Sequence, residues 1–413
     1  MKTAIVLAGG GSKGSYQAGV WKALRELGVE YQIVTGTSIG AVNGALMVMG
    51  DYERAERLWH TVTVEDIMAH GMNLKHDMDY YFENRDQLLQ FAKEFAASRG
   101  ADITPYRELV HREFDEKLFL KSHVDYAAVT AKFPSLHMVE ARKSEMTPGA
   151  IEQWLIASSS CFPVFPLCEI DGQSYIDGGY ADNLPISTAF RLGAEQVVAV
   201  ALKPDAFEKN YPHHPLVKRI VPSRPLGPFL DFSPGILQKN FCLGYVDALR
   251  AYGRCFGEHY AFSPLGVERL LDAARAYLLW LLRRELCFDG SGIQSMLDRF
   301  TKETRLSDQI FSHAHGDLLS ASVAGLETIM ELLGYAHEEI YEIDELLPEL
   351  RDRLLADSDV PELKQAAAFA ETLCRGDWRG LLLQHAPGKS DVELLLATLR
   401  LYFGMTEDAA LTV

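Results

Sequence analysis

Apolar positions in the first half of the chain switch between two periods. Ala4–Leu7 is a short unbroken apolar run, the pattern of a strand buried on both faces. Tyr16, Val20, Leu24 and Leu27 follow at helical spacing, Gly28 is a natural stop, and Tyr31–Val34 reads as a second strand. Between about 51 and 124 the pattern is helical, mixed and charged, with Thr104-Pro105 as a helix start. Strand-like runs recur at Val124–Ala131, Leu136–Ala141 and Gln196–Ala201. Alternation of this kind predicts an α/β fold with a largely parallel sheet covered by helices. Pro204–Pro234 holds seven of the 17 prolines, which predicts a surface excursion with Val217–Val221 as a short edge strand inside it.

From Glu258 the pattern becomes Leu-rich, acidic and helical throughout, with no strand-like alternation. The division predicted is an α/β domain over 1–257 and an all-α domain over 258–413. The most apolar piece of the latter, Arg275–Phe288, reads as a helix buried in a bundle, the alternative being a helix lying on a membrane surface.

Composition narrows the functions available. The 413 residues carry a formal charge of −17, unevenly: 26 Lys/Arg against 30 Asp/Glu up to residue 255, and 14 against 27 beyond it. An acidic second half argues against nucleic acid and against a general attraction to anionic membranes, which both need clustered cations. No apolar run approaches the ~18 residues of a membrane span, and the apolar N-terminal run is short and leads into a glycine loop, as a strand does and a secretion signal does not. Six scattered cysteines without metal-type spacing fit free thiols in the cytoplasm.

The glycine loop raises the chemical question. Gly9, Gly11 and Gly14 spell G-x-G-x-x-G between a strand and a helix, but the acid that would hold a ribose is replaced by Thr35-Gly36. A phosphate loop fails as well, because the order is Lys13-Gly14-Ser15 rather than Gly-Lys-Ser. Gly36-Thr37-Ser38-Ile39-Gly40 is G-x-S-x-G at a strand-to-helix junction, where a sharp turn exposes a serine Oγ. Ser38 is thus a candidate nucleophile. Gly9, Gly10 and Gly11, leaving the neighbouring strand, can bring bare amides to the same sheet edge as an oxyanion hole. Asp177, before Gly178-Gly179, is the candidate base.

Taken together, "GGGSKG" (9–14), "GTSIG" (36–40) and "DGG" (177–179) with Asn183 and Pro185 resemble the patatin-like phospholipase family. "ASSSCFPVFP" (157–166) and "GYVDALRAYG" (244–253) extend the likeness, which covers roughly 1–255. The resemblance implies a three-layer α/β/α fold and a Ser38–Asp177 dyad, with Gly10, Gly11 and the Ile39 N–H as oxyanion donors. It further implies a serine lipid acyl hydrolase that needs no metal or cofactor and acts on a phospholipid, lysophospholipid or other fatty-acyl ester. Transient contact with a membrane surface and self-association through the helical domain are compatible with it, and the helices of 51–124 are placed to form a lid or acyl groove. Ala8 and Lys13 depart from the common Asp and Arg of relatives, which bears on head-group contacts rather than on the dyad. Two alternatives stand: a non-catalytic lipid- or partner-binding module on the same fold, and an α/β-hydrolase whose serine works through a late histidine. The serine on the second strand, directly after a glycine loop, favours the dyad. His313 and His315 lack a third ligand nearby.

Overall fold

The computed structural model describes residues 1–69, 101–203, 211, 214–286, 318–375 and 391–409. They fall into two compact units, Met1–Gly253 and Arg254–Val413.

The first unit is built on strand β1 (Thr3–Leu7), whose five residues are all buried because sheet neighbours and helices cover both faces. The chain turns through a 3-10 turn at Gly11–Lys13 into helix α1 (Gly14–Glu26) and returns in β2 (Ile33–Thr37), parallel to β1 with Ala4 beside Ile33 and Leu7 beside Gly36. Helix α2 (Ile39–Met49) ends on the left-handed Gly50, and Asp51 caps α3 (Tyr52–Thr61) by accepting from the Arg54 N–H at 3.1 Å. Helix α4 (Thr104–Glu113) starts with proline in its first turn, as Thr104-Pro105 predicts. After α5 (Glu116–Lys121) come β3 (Asp125–Lys132), β4 (Met138–Arg142), α6 (Ile151–Ser158), β5 (Cys168–Ile170), β6 (Gln173–Asp177), α7 (Ile186–Arg191), β7 (Gln196–Val200), β8 (Val217–Ile220) and α8 (Pro234–Ala251).

The sheet order is β5-β6-β3-β2-β1-β7-β8, with β4 paired to β3. Strands β3, β2, β1, β7 and β8 run parallel, β4 and β6 run against them, and β5, antiparallel to β6, runs with the parallel set. The β5–β6 hairpin was absent from the sequence expectation. It closes through Asp171-Gly172, both at positive φ (52° and 76°), the conformation that a tight two-residue hairpin requires. Asp-Gly therefore makes the hairpin at 171–172, while Asp177-Gly178 opens a 3-10 turn.

Helices α1 and α8 pack backbone to backbone on one face of this sheet. A Cβ on Gly19 would overlap the Phe241 carbonyl, and one on Gly244 would overlap that of Tyr16. The buried Tyr16 hydroxyl donates to Asp247 Oδ2 at 3.0 Å, which fixes their register.

The second unit comprises α9 (Val267–Leu286), α10 (Leu318–Leu333), α11 (Ile343–Leu355), α12 (Pro361–Arg375) and α13 (Asp391–Ala409) around a core that includes Met330, Ile343, Leu346 and Leu350. It is not wholly helical: β9 (Ala261–Phe262) and β10 (Ile340–Tyr341) form a two-residue parallel pair. Buried Glu327 accepts from the N–H groups of Glu258, His259 and Tyr260 at 2.7, 2.8 and 3.1 Å, which ties the entry of the chain to α10. No helix among the described residues is long and apolar enough to cross a membrane. His313–His315, most of the residues between α3 and α4, and the end of the Arg275–Phe288 run lie outside the described residues.

Candidate active site

Ser38 sits at the carboxyl end of β2, where a parallel α/β sheet opens its crevice. Its φ of 56° and ψ of −127° place a non-glycine residue in a costly backbone conformation, which turns the strand sharply into α2. Close packing makes that turn possible: a Cβ on Gly36 would overlap the Gly40 carbonyl, and one on Gly40 would lie 2.6 Å from the Ala8 carbonyl. Ser38 is 5% exposed. Its N–H donates to Ser158 Oγ at 2.9 Å.

The glycine loop lies beside this turn, since Leu7 and Gly36 are neighbours in register. A buried polar chain anchors its two ends. Trp59 Nε1 donates to Asn43 Oδ1 (2.9 Å), Asn43 Nδ2 donates to Gln17 Oε1 (2.8 Å) and the Gly14 carbonyl (3.0 Å), and Gln17 Nε2 donates to the Ala8 carbonyl (2.7 Å). Gly14 starts α1, where a Cβ would press on Trp59 and Ile39.

The three loop glycines are not equivalent. The Gly9 N–H donates to the Asn183 carbonyl at 3.1 Å, and Asn183 Nδ2 donates back to the Gly9 carbonyl at 3.2 Å. Gly9 is therefore engaged in holding the loop and has no free donor, contrary to the expectation that all three glycines face an oxyanion. The N–H groups of Gly10, Gly11 and Ile39 donate to no described residue, and Ile39 is the first residue of α2, whose dipole adds positive character there.

Asp177 ends β6, opposite Thr130 of β3, and is fully buried. A Cβ on Gly178 would overlap the Val129 carbonyl, so the turn lies flush on β3, and the Gly179 N–H donates to Asp177 Oδ1 at 2.7 Å. Oδ2 is buried with no aligned hydrogen bond among the described residues, while the Ser38 hydroxyl lies within interaction range of the carboxyl. Burial raises the Asp177 pKa from 3.8 to about 7, with the Ser38 hydroxyl and the Gly179 N–H pulling the other way. The following loop is stitched to β2, because Thr37 Oγ1 donates to the Asp182 carbonyl (2.7 Å) and Thr35 Oγ1 to that of Pro185 (3.1 Å).

An almost wholly apolar pocket opens on Ser38 and Gly11. Its walls come from α3 (Leu58, Trp59), α4 (Tyr106, Leu109) and the Phe229–Phe232 stretch that follows the proline-rich segment. That stretch is fastened to the glycine loop, since the Ser12 N–H donates to the Phe229 carbonyl at 2.9 Å and Ser12 Oγ reaches the Pro228 and Phe229 carbonyls at 3.1 Å each. Among the described residues no histidine lines the pocket. Among the described residues no group of three or more His, Cys, Asp or Glu is placed to hold a metal ion. Sequence reasoning assigned no role to Ser158, Asn43, Gln17 or Ser12, and marked Asn183 only as a motif residue.

The first unit is thus an α/β domain with a serine and a buried carboxyl sharing one end of a mainly parallel sheet. Residues 5–190 match the patatin-like phospholipase family model. Patatin-like phospholipase domain-containing protein 7 of Rattus norvegicus is 31% identical over 199 residues, 48% of this chain and 13% of that protein. Lysophospholipase nte1 of Aspergillus terreus is 28% identical over 202 residues, again 48% of this chain and 12% of its own. The chain therefore matches only about an eighth of the length of these curated relatives. The solved structure of VipD from Legionella pneumophila aligns over 97% of this chain and 91% of its own, at a TM-score of 0.42 and 13% identity.

Proposed function

We propose that the first unit is a serine lipid acyl hydrolase working through a Ser38–Asp177 dyad on a phospholipid, lysophospholipid or related fatty-acyl ester. The observation that carries this reading is the unpartnered Asp177 Oδ2, buried beside a serine held on a strained turn at the end of an apolar pocket. A carboxyl whose pKa lies near neutrality is matched to take and return a proton at physiological pH.

In the first half-reaction Ser38 Oγ attacks the ester carbonyl carbon while its proton passes to Asp177 Oδ2. The C–O bond to the alcohol then breaks, and the alcohol leaves with the proton from Asp177. This leaves an acyl group on Ser38. In the second, Asp177 takes a proton from water, the water oxygen attacks the acyl-enzyme, and fatty acid departs as the proton returns to Ser38. The oxyanion of each tetrahedral intermediate would receive hydrogen bonds from the Gly10, Gly11 and Ile39 N–H groups, and the pocket beyond Ser38 would take the acyl chain. The printed names of the relatives, a patatin-like phospholipase domain-containing protein and a lysophospholipase, support the substrate class.

The test is release of p-nitrophenolate from a short p-nitrophenyl ester by the wild type and by Ser38→Ala. The serine variant should lose turnover while its melting temperature stays close to wild type. Turnover that survives in a folded Ser38→Ala protein would remove the nucleophile assignment, and absence of turnover in both would favour a lipid-binding module.

A further inference from the structure

The hydroxyl of Ser158 occupies an unusual position between two strands. The pairing of β2 with β3 ends at Thr37 beside Val129. A parallel ladder continued in that register would send the Ser38 N–H to the Val129 carbonyl. Instead the Ser38 N–H donates to Ser158 Oγ at 2.9 Å, and Ser158 Oγ donates onward to the Val129 carbonyl at 2.6 Å. One hydroxyl has been inserted into the place of one ladder bond. It satisfies both backbone groups while the chain leaves the sheet at the left-handed Ser38.

Ser158 is itself rigidly placed. It is the last residue of α6, fully buried, and its neighbours are tied to the other catalytic strand. The Ser160 carbonyl accepts from the Asp177 N–H at 2.8 Å, and Thr130 Oγ1 lies 3.2 Å from the Ala157 carbonyl and 2.7 Å from that of Ile176. The end of α6 therefore touches the backbone of both Ser38 and Asp177.

We infer that Ser158 is a positioning residue for the nucleophile: its hydroxyl holds the Ser38 backbone out of the sheet so that Oγ faces Asp177 and the substrate. This rests on the dyad reading above. Without the hydroxyl, the Ser38 N–H and the Val129 carbonyl are left unpaired, and the direct ladder bond that would satisfy them draws Ser38 back toward β3. Misplacement of a reacting atom by an ångström costs on the order of 10²-fold in rate and leaves substrate affinity largely untouched.

The experiment compares Ser158→Ala, Ser158→Thr and Ser38→Ala in the full chain, reading kcat and KM on a p-nitrophenyl ester, the rate of Ser38 labelling by a fluorophosphonate, and the melting temperature. Ser158→Ala should lower kcat and the labelling rate together by about 10²-fold with KM within about twofold, whereas Ser158→Thr, which keeps the hydroxyl, should recover to within about tenfold of wild type. Should the alanine protein fail to fold, Ser158→Cys carries the same test, because its thiol is a weak hydrogen-bonding group of similar size and should likewise lower kcat with KM kept. A folded Ser158→Ala or Ser158→Cys protein with wild-type kcat, or one whose loss lies wholly in KM, would overturn the inference. So would alanine and threonine variants equally impaired at equal stability. Survival of turnover in Ser38→Ala would instead overturn the dyad itself, so the two failures are distinguishable.

Discussion

Asp177 shows how burial converts an ordinary residue into a candidate base. With its pKa raised from 3.8 to about 7, the fold favours the protonated form. The resulting stability is fully present below the unfolded pKa and is lost as pH rises through the folded one. Asp177→Asn, which stays neutral, should match wild type in stability near pH 4, exceed it increasingly as pH rises to about 7, and stay above it by a constant ~4 kcal/mol at higher pH. Denaturant melts of both proteins across that range check this, and a difference that shrinks with rising pH would contradict it. Gly11 offers a second test at this scale. Its φ is +59° and a Cβ there would overlap the Phe229 carbonyl, so Gly11→Ala must move either the loop or the stretch packed on it. If its N–H serves the oxyanion, kcat should fall by about 10²–10³-fold, and a change confined to KM would contradict that role. The motifs themselves were readable from the chain, because G-x-S-x-G and a run of glycines are local patterns. The engagement of Gly9 by Asn183 was not, since the partners lie 174 residues apart and nothing local marks which amide is taken. The Ser158 bridge, 120 residues from Ser38, was hidden for the same reason.

Elements were legible where burial imposed a clean pattern. Strands β1 and β7 and helix α1 follow from apolar runs and helical spacing, and β8 forms the edge strand that Val217–Val221 foreshadows. The β5–β6 hairpin escaped because its strands are three and five residues long and partly exposed, so neither shows an apolar run. Asp171-Gly172 was the signal available. Helix α3 has a more specific part, because Trp59 both walls the pocket and starts the polar chain through Asn43 to the glycine loop. Trp59→Ala should cost about 3–5 kcal/mol of stability and, by enlarging the pocket, shift preference toward longer chains in a series of p-nitrophenyl esters. A chain-length profile identical to wild type would show that the indole does not border the acyl site.

At the scale of the molecule, each unit has its own apolar core. In the sequence the pattern changes from alternating to helical near residue 258, and the two compact units divide between Gly253 and Arg254. Leu350, 3% exposed in the core of the second unit, gives a way to perturb that unit by itself. Leu350→Ala should destabilise by about 2–5 kcal/mol while kcat on a soluble ester stays within about twofold of wild type, since the core it belongs to is separate from the core that carries the first unit's site. Loss of turnover from a protein still folded would mean that the second unit takes part in the chemistry of the first.

The dyad itself is tested most directly by the pH dependence of kcat/KM for ester hydrolysis, measured on wild type, Asp177→Asn and single His→Gln variants. If Asp177 is the base, wild-type kcat/KM rises with pH through an apparent pKa near 7 and then levels, because only the ionised carboxyl accepts the proton from Ser38. Asp177→Asn should then be inactive at every pH, while each His→Gln variant keeps the wild-type profile within about tenfold, less than the ~10²–10⁴-fold usual for a lost general base. A folded histidine variant as inactive as Ser38→Ala, or an Asp177→Asn protein whose activity recovers at high pH, would contradict the dyad and assign the proton transfer to a histidine.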